Sequence, residues 1–74
     1  MKVIKLSGVD LKILVNLLEV KDWVGLSEIS EKSDVPKSTA HKRLRRLVDA
    51  GLVEARRVGR KMFYRACKSA YMYV

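Results

Sequence analysis

Leu26-Ser27-Glu28-Ile29-Ser30-Glu31-Lys32-Ser33-Asp34-Val35-Pro36-Lys37-Ser38-Thr39-Ala40-His41-Lys42-Arg43-Leu44 decides the fold of this 74-residue chain. Pro36 fixes its own backbone and keeps Val35 out of the helical region, so Asp34-Val35-Pro36 reads as a tight turn between two helices. The helix before it is predicted from about Ser27 to Ser33, with Ile29 inward and Glu28, Glu31 and Lys32 elsewhere. The helix after it is predicted from Lys37 to about Ala50. There Ala40, Leu44, Leu47 and Val48 recur at i, i+4, i+7 and i+8, one apolar stripe. Gly51 supplies the left-handed stop.

Working outward, Leu52 to Arg57 and Lys61 to Ala66 read as two strands around a tip at Val58-Gly59-Arg60, a hairpin over residues 52–66. Upstream, Ser7 with Asp10 three residues later is a weak capping box, which starts a first helix at Gly8 that runs to about Lys21. That helix carries two apolar stripes: Leu11, Leu14, Val15 and Leu18 on one side, Val9, Ile13, Leu17 and Val20 on the other. Lys2 to Leu6 alternates charged and apolar residues, as a short N-terminal strand does. Asp22-Trp23-Val24-Gly25 reads as a break, and Lys68 to Val74 has no assignable structure. Helix, turn, helix and basic hairpin, in that order, define an α+β chain of winged helix-turn-helix type. The expectation is one domain over 1–74, with three helices followed by a two-stranded wing.

Charge is segregated along this frame. Residues 1–36 sum to −1 and residues 37–74 to +9, giving the +8 of the whole. Ten of the eleven Lys and Arg in the second half fall on one helix and one hairpin and make a positive face whose natural partner is a polyanion, with double-stranded DNA as the leading candidate. An apolar fraction of 49% supports a packed core. Cys67 is the single cysteine, so no disulfide forms within the chain, and a lone thiol fits a reducing cytoplasm. His41 and Cys67 lie far apart in sequence and do not suggest a metal site. No paired carboxylates, Ser-His-Asp set or phosphate-cradling Gly loop suggests an enzyme or a cofactor. No apolar run approaches a membrane span. The start, Met1 to Leu6, is charged like a secretory leader, but Asp10, Lys12 and Asn16 interrupt the apolar stretch that would follow.

The stretch Leu26 to Leu44, followed by Leu47-Val48-Asp49-Ala50-Gly51-Leu52-Val53-Glu54, resembles the DNA-binding domains of IclR-type repressors, and more loosely those of MarR- and ArsR-type regulators. Pro36 to His41 and Ala50 to Val53 are its most specific parts, and the resemblance spans about residues 9–66. It implies a bacterial- or archaeal-style transcription regulator. IclR-type proteins carry an effector domain after the wing, which this sequence does not show, so no small-molecule effector is expected from the resemblance.

The residues themselves place the DNA. With Ala40, Leu44, Leu47 and Val48 inward, the third helix turns Ser38, Lys42, Arg45, Arg46 and Asp49 outward, with Thr39 close by and Lys37 and His41 at the margin. A recognition helix reads bases near its N-terminal end, so Ser38, Thr39, His41 and Lys42 are base-edge candidates. Arg45 reaches a base or a phosphate, and Lys37 and Arg46 are expected at phosphates. Arg57, Arg60 and Lys61 flank the wing tip, at a minor groove or backbone.

Several readings stay open. His41 is either a groove contact or a boundary residue, and Arg43 is a boundary cation covering the apolar edge with its stem. Trp23 reads as a core or helix-junction residue. Phe63 and Tyr64, adjacent on a strand, point to opposite faces. The winged helix could instead serve as an interaction module for protein or RNA. A homodimer is expected through Val9, Ile13, Leu17 and Val20 with Tyr71 and Tyr73, because a helix apolar on two sides needs two covers; the chain's own termini are the rival cover.

Overall fold

A computed structural model describes residues 5–73, Tyr73 by its backbone alone. Helix α1 spans Gly8–Val20 and begins with a complete capping box. The Ser7 hydroxyl accepts from the Asp10 amide at 3.2 Å, and Asp10 Oδ2 accepts from the Ser7 amide at 2.9 Å. Lys21 closes the helix in the left-handed region, φ 58°. Helix α2, Leu26–Ser33, ends at Asp34, φ 54°, one of the few non-glycine residue types that tolerates that conformation. The Ser30 hydroxyl donates to the Val35 carbonyl at 2.6 Å and ties the turn to α2.

Helix α3 spans Lys37–Asp49 directly after Pro36. Its end is a Schellman motif: Gly51 stands at φ +80°, its amide donates to the Val48 carbonyl, and the Leu52 amide donates to that of Leu47, both at 3.0 Å. Gly51 thus satisfies two carbonyls that a helix end leaves open and aims the chain into the wing.

Strand β1 is only Val24–Gly25; β2 covers Val53–Val58 and β3 Lys61–Ala66. They form one antiparallel sheet in the order β1-β3-β2. Val58 pairs with Lys61, so the hairpin loop is Gly59-Arg60, and Gly59 at φ +62° takes the position that glycine serves in a type II′ turn. Alternation sorts the sheet into two faces: Val24, Val53 and Tyr64 inward, Gly25, Glu54, Arg56, Phe63 and Arg65 outward. The sheet has one strand more than the two-stranded wing expected from sequence, because two residues carry no readable period.

Ile13, Leu14, Leu17, Ala40, Leu44 and Leu47 have no exposed surface and, with the buried Ile29, join the helices to the inner sheet face. A short 3-10 helix, Lys68–Tyr73, lays Ala70 into this core beside α1. Asn16 on α1 donates to the buried Ser33 hydroxyl on α2 at 2.9 Å.

Three expectations need correction. Helix α1 does not have two opposed apolar faces; its fully buried residues are Asp10, Ile13, Leu14 and Leu17. The two apparent stripes are the flanks of one wide face with Asp10 at its centre, where a carboxylate hides the continuity. Ile13 and Leu17 are therefore unavailable to a partner, Val9 is packed against the core, and Val20 alone of that set is open, at 37% exposure. Lys5 and Leu6 belong to no strand, and Lys2 to Ile4 lie outside the described residues. Tyr71 is exposed, whereas the side chain of Tyr73 lies outside the described residues.

Candidate nucleic-acid interface

Burial along α3 turns one face to solvent. Lys37, Ser38, His41, Lys42, Arg45, Arg46 and Asp49 are exposed, and Thr39 is half-buried. The first turn of this helix has no acid, and no side chain caps it. Its free amides and the positive end of its dipole add to the cations there, which favours an anion.

The wing completes a concave surface. A cleft of roughly 570 Å³ is lined by Gly25, Leu26, Ser27 and Glu28 at the start of α2, by Lys37 at the start of α3, and by Arg60, Lys61, Met62 and Phe63 on the wing. Lys37 and the wing residues Arg60 and Lys61, more than twenty positions further along the sequence, thus place three cations around one hollow. Glu28 is the one acid among them, and it pairs with Lys32 at 3.8 Å. Ser27 and the start of α2 were not foreseen as part of this site. Only the tertiary approach of the wing brings them there, and a hydroxyl beside an uncapped helix start carries no periodic signal.

Other predicted residues have intrachain tasks. Arg57 Nε donates to the Gly59 carbonyl at 3.2 Å and braces the tip. An Arg46 guanidinium N–H donates to the Lys5 carbonyl at 3.1 Å, so this side chain is partly committed to the segment before α1. Arg43 is half-buried with its guanidinium 3.9 Å from the buried Asp10 carboxylate. Its role is thus larger than that of a stem over an apolar edge.

On the outer sheet face the Arg65 guanidinium lies 4.6 Å and that of Arg56 5.9 Å from the centre of the Trp23 ring. Arg65 also donates twice to Glu54 Oε2, at 3.1 and 2.7 Å. Trp23 is therefore a half-buried junction residue that carries cations rather than an inner core residue. The Phe63 ring passes within 3.7 Å of where a Cβ on Gly25 would stand, while Tyr64 is buried. Burial, then Glu54, pushes the Cys67 thiol above its usual pKa, against a smaller pull from Arg65. That direction opposes a reactive, thiolate-based redox sensor.

A helix-turn-helix whose exposed third helix adjoins a basic wing is the winged helix-turn-helix architecture. The profile of the family described as "Sugar-specific transcriptional regulator TrmB" matches residues 1–70, and the chain belongs to that family. No curated protein matches it in sequence. Among solved structures it is similar to the homodimeric winged helix-turn-helix DNA-binding domain of a possible ArsR-family regulator from Mycobacterium bovis. The identity is 30% and the TM-score 0.76, over 90% of this chain and 62% of that one. It is also similar to the transcriptional repressor BigR of Xylella fastidiosa, with 25% identity and TM-score 0.76, over 88% and 66%. Lactococcus lactis ZitR in complex with DNA shares the fold at 22% identity and TM-score 0.79, over 92% of this chain and 47% of that one. The chain spans less than two thirds of these three structures.

Proposed function

We propose that this chain binds double-stranded DNA sequence-specifically as a homodimer, and regulates transcription by occupying a promoter site. Helix α3 enters the major groove, with Ser38, Thr39, His41 and Lys42 at base edges and Arg45 at a base or phosphate. Lys37, Arg46, Arg57, Arg60 and Lys61 hold the backbone, with Ser27 added beside them. The cleft that gathers Lys37, Arg60 and Lys61 carries this reading, because a duplex backbone is the anion long enough to meet helix and wing together. The ZitR structure with DNA and the homodimeric Mycobacterium bovis domain support its two halves by likeness.

The dimer face moves from its expected place to the surface that α1 leaves open. Val15, Leu18, Glu19, Lys21 and Tyr71 line a shallow hollow of roughly 410 Å³, and Val15, Tyr71 and Met72 are 40%, 55% and 72% exposed. No enzymatic step and no small-molecule effector belong to this reading, and the chain acts in the cytoplasm. No helix among the described residues is long and apolar enough to cross a membrane.

A gel-shift titration of random duplex and matching single-stranded DNA, at low and moderate salt, tests the proposal. It expects duplex binding that weakens steeply with salt. Equal or tighter binding of single strands refutes it.

A further inference from the structure

Asp10 does more than cap a helix. Capping boxes ordinarily sit at the surface, yet this carboxylate has no exposed area and lies at the centre of the face that α1 turns inward. Oδ2 takes both Ser7 donors, at 2.9 and 3.0 Å, and Oδ1 has no hydrogen-bond partner among the described residues. Burying a charge is costly unless an opposite charge faces it. The cation that faces it belongs to the recognition helix: Arg43 Nη1 stands 3.9 Å from Oδ2.

Arg43 shares one flank of α3 with Arg46, three residues on, and that second guanidinium holds the Lys5 carbonyl. The recognition helix is therefore gripped along one side by the first turn of α1 and the segment just before it. Its base-edge candidates Ser38 and Lys42 lie on the adjoining outward face. Apolar packing by Ala40, Leu44 and Leu47 sets how deep α3 sits, and the charge contact from the fully buried Asp10 carboxylate to Arg43, whose side chain is 36% exposed, adds a fixed point on the flank of the helix. A site must be held within about 0.5 Å and 10–20° to keep its geometry.

We propose that Asp10, acting through Arg43, is a positioning residue for base readout: the pair sets the rotation of α3 so that Ser38 and Lys42 meet base edges. Arg43 itself is not a phosphate contact. This rests on the proposed function, so the wild-type chain is first taken through selection on a random duplex pool. A chain that enriches no sequence overturns the proposed function, and is distinguished from the outcomes below.

With the selected duplex in hand, Asp10→Asn, Arg43→Gln and the double variant are compared by affinity for selected and random duplex across a salt series. Asp10→Asn keeps the capping acceptor and removes the charge. Each single variant is expected to lower the selected-to-random ratio roughly tenfold, within the range of couplings between contacting residues, and the double variant no further than either alone. The slope of log affinity against log salt stays at the wild-type value, whereas the control Arg45→Gln is free to change it.

Urea unfolding of the same set, read as a double-mutant cycle, must show the two side chains coupled. A ratio unchanged in folded variants makes the pair merely structural and overturns the proposal. So does a slope reduced by ~0.9 in Arg43→Gln, which marks a phosphate contact. Additive losses, in binding or in unfolding, overturn it as well.

Discussion

Removing the three cations of the cleft at once is the perturbation with the most calculable outcome. Lys37, Arg60 and Lys61 are exposed, come from two elements, and line one hollow at the junction of α3 and the wing. If each neutralises one phosphate, the variant Lys37→Ala/Arg60→Ala/Lys61→Ala lowers the slope of log affinity against log salt by about 2.7, at ~0.9 per phosphate. Measured against a 1 M reference, where the counterion contribution vanishes, that slope corresponds to about 500-fold weaker binding at 0.1 M salt. Fluorescence anisotropy on a labelled random duplex over a salt series reads both numbers. Lys12→Ala, exposed on α1 and outside the cleft, is the control and leaves the slope alone. A triple variant with the wild-type slope, or a control that falls as far, refutes the assignment of the cleft to the DNA backbone.

Sedimentation at micromolar concentration is expected to show a species of twice 8.5 kDa. Val15→Asp should dissociate it with secondary structure intact, whereas Ile13→Asp should unfold the chain, because Ile13 has no exposed surface. A dimer untouched by Val15→Asp removes the proposed face. Gly51→Ala is expected to cost about 1–2 kcal/mol through backbone conformation alone, since a Cβ there meets nothing within 4 Å. In a domain of this size, thermal unfolding should fall by roughly 4–8 °C per kcal/mol, and an unchanged midpoint contradicts the Schellman end. Cys67 should stay in the thiol form at neutral pH, because burial and Glu54 raise its pKa. Its alkylation should therefore be slower than that of a free cysteine at pH 7 and accelerate only above the usual thiol range; a plateau below that range contradicts the shift.

Much of this architecture was legible in the residues, for identifiable reasons. Ala40, Leu44 and Leu47 repeat with helical spacing, Pro36 and Gly51 punctuate the ends of α3, and Gly59 marks the hairpin. Each is a local signal, and together they reach the winged helix-turn-helix fold. The misreadings are equally specific. Asp10 occupies the centre of the buried face of α1, so a polarity pattern splits one face into two and suggests a partner where the chain covers itself. Strand β1 is two residues long and draws its pairing from β3, which no local pattern reveals. The exposed face of α3 was readable from periodicity, but the cleft was not, because the approach of Ser27, Lys37 and Lys61 is a tertiary fact. The ties of Arg43 to Asp10 and of Arg46 to Lys5, which join residues 33 and 41 positions apart, were hidden for the same reason.

Sequence-specific readout of duplex DNA by α3 is the central claim, and base preference measured on a randomised duplex pool tests it most directly. The wild-type chain is expected to enrich an inverted repeat whose half-sites lie about one helical turn, roughly 10–10.5 base pairs, apart. Lys42→Ala and Ser38→Ala should each relax preference at particular positions, whereas Arg60→Ala should weaken all sequences about equally. A pool that emerges random, or one whose preference shifts with Arg60 and ignores Lys42 and Ser38, contradicts the account.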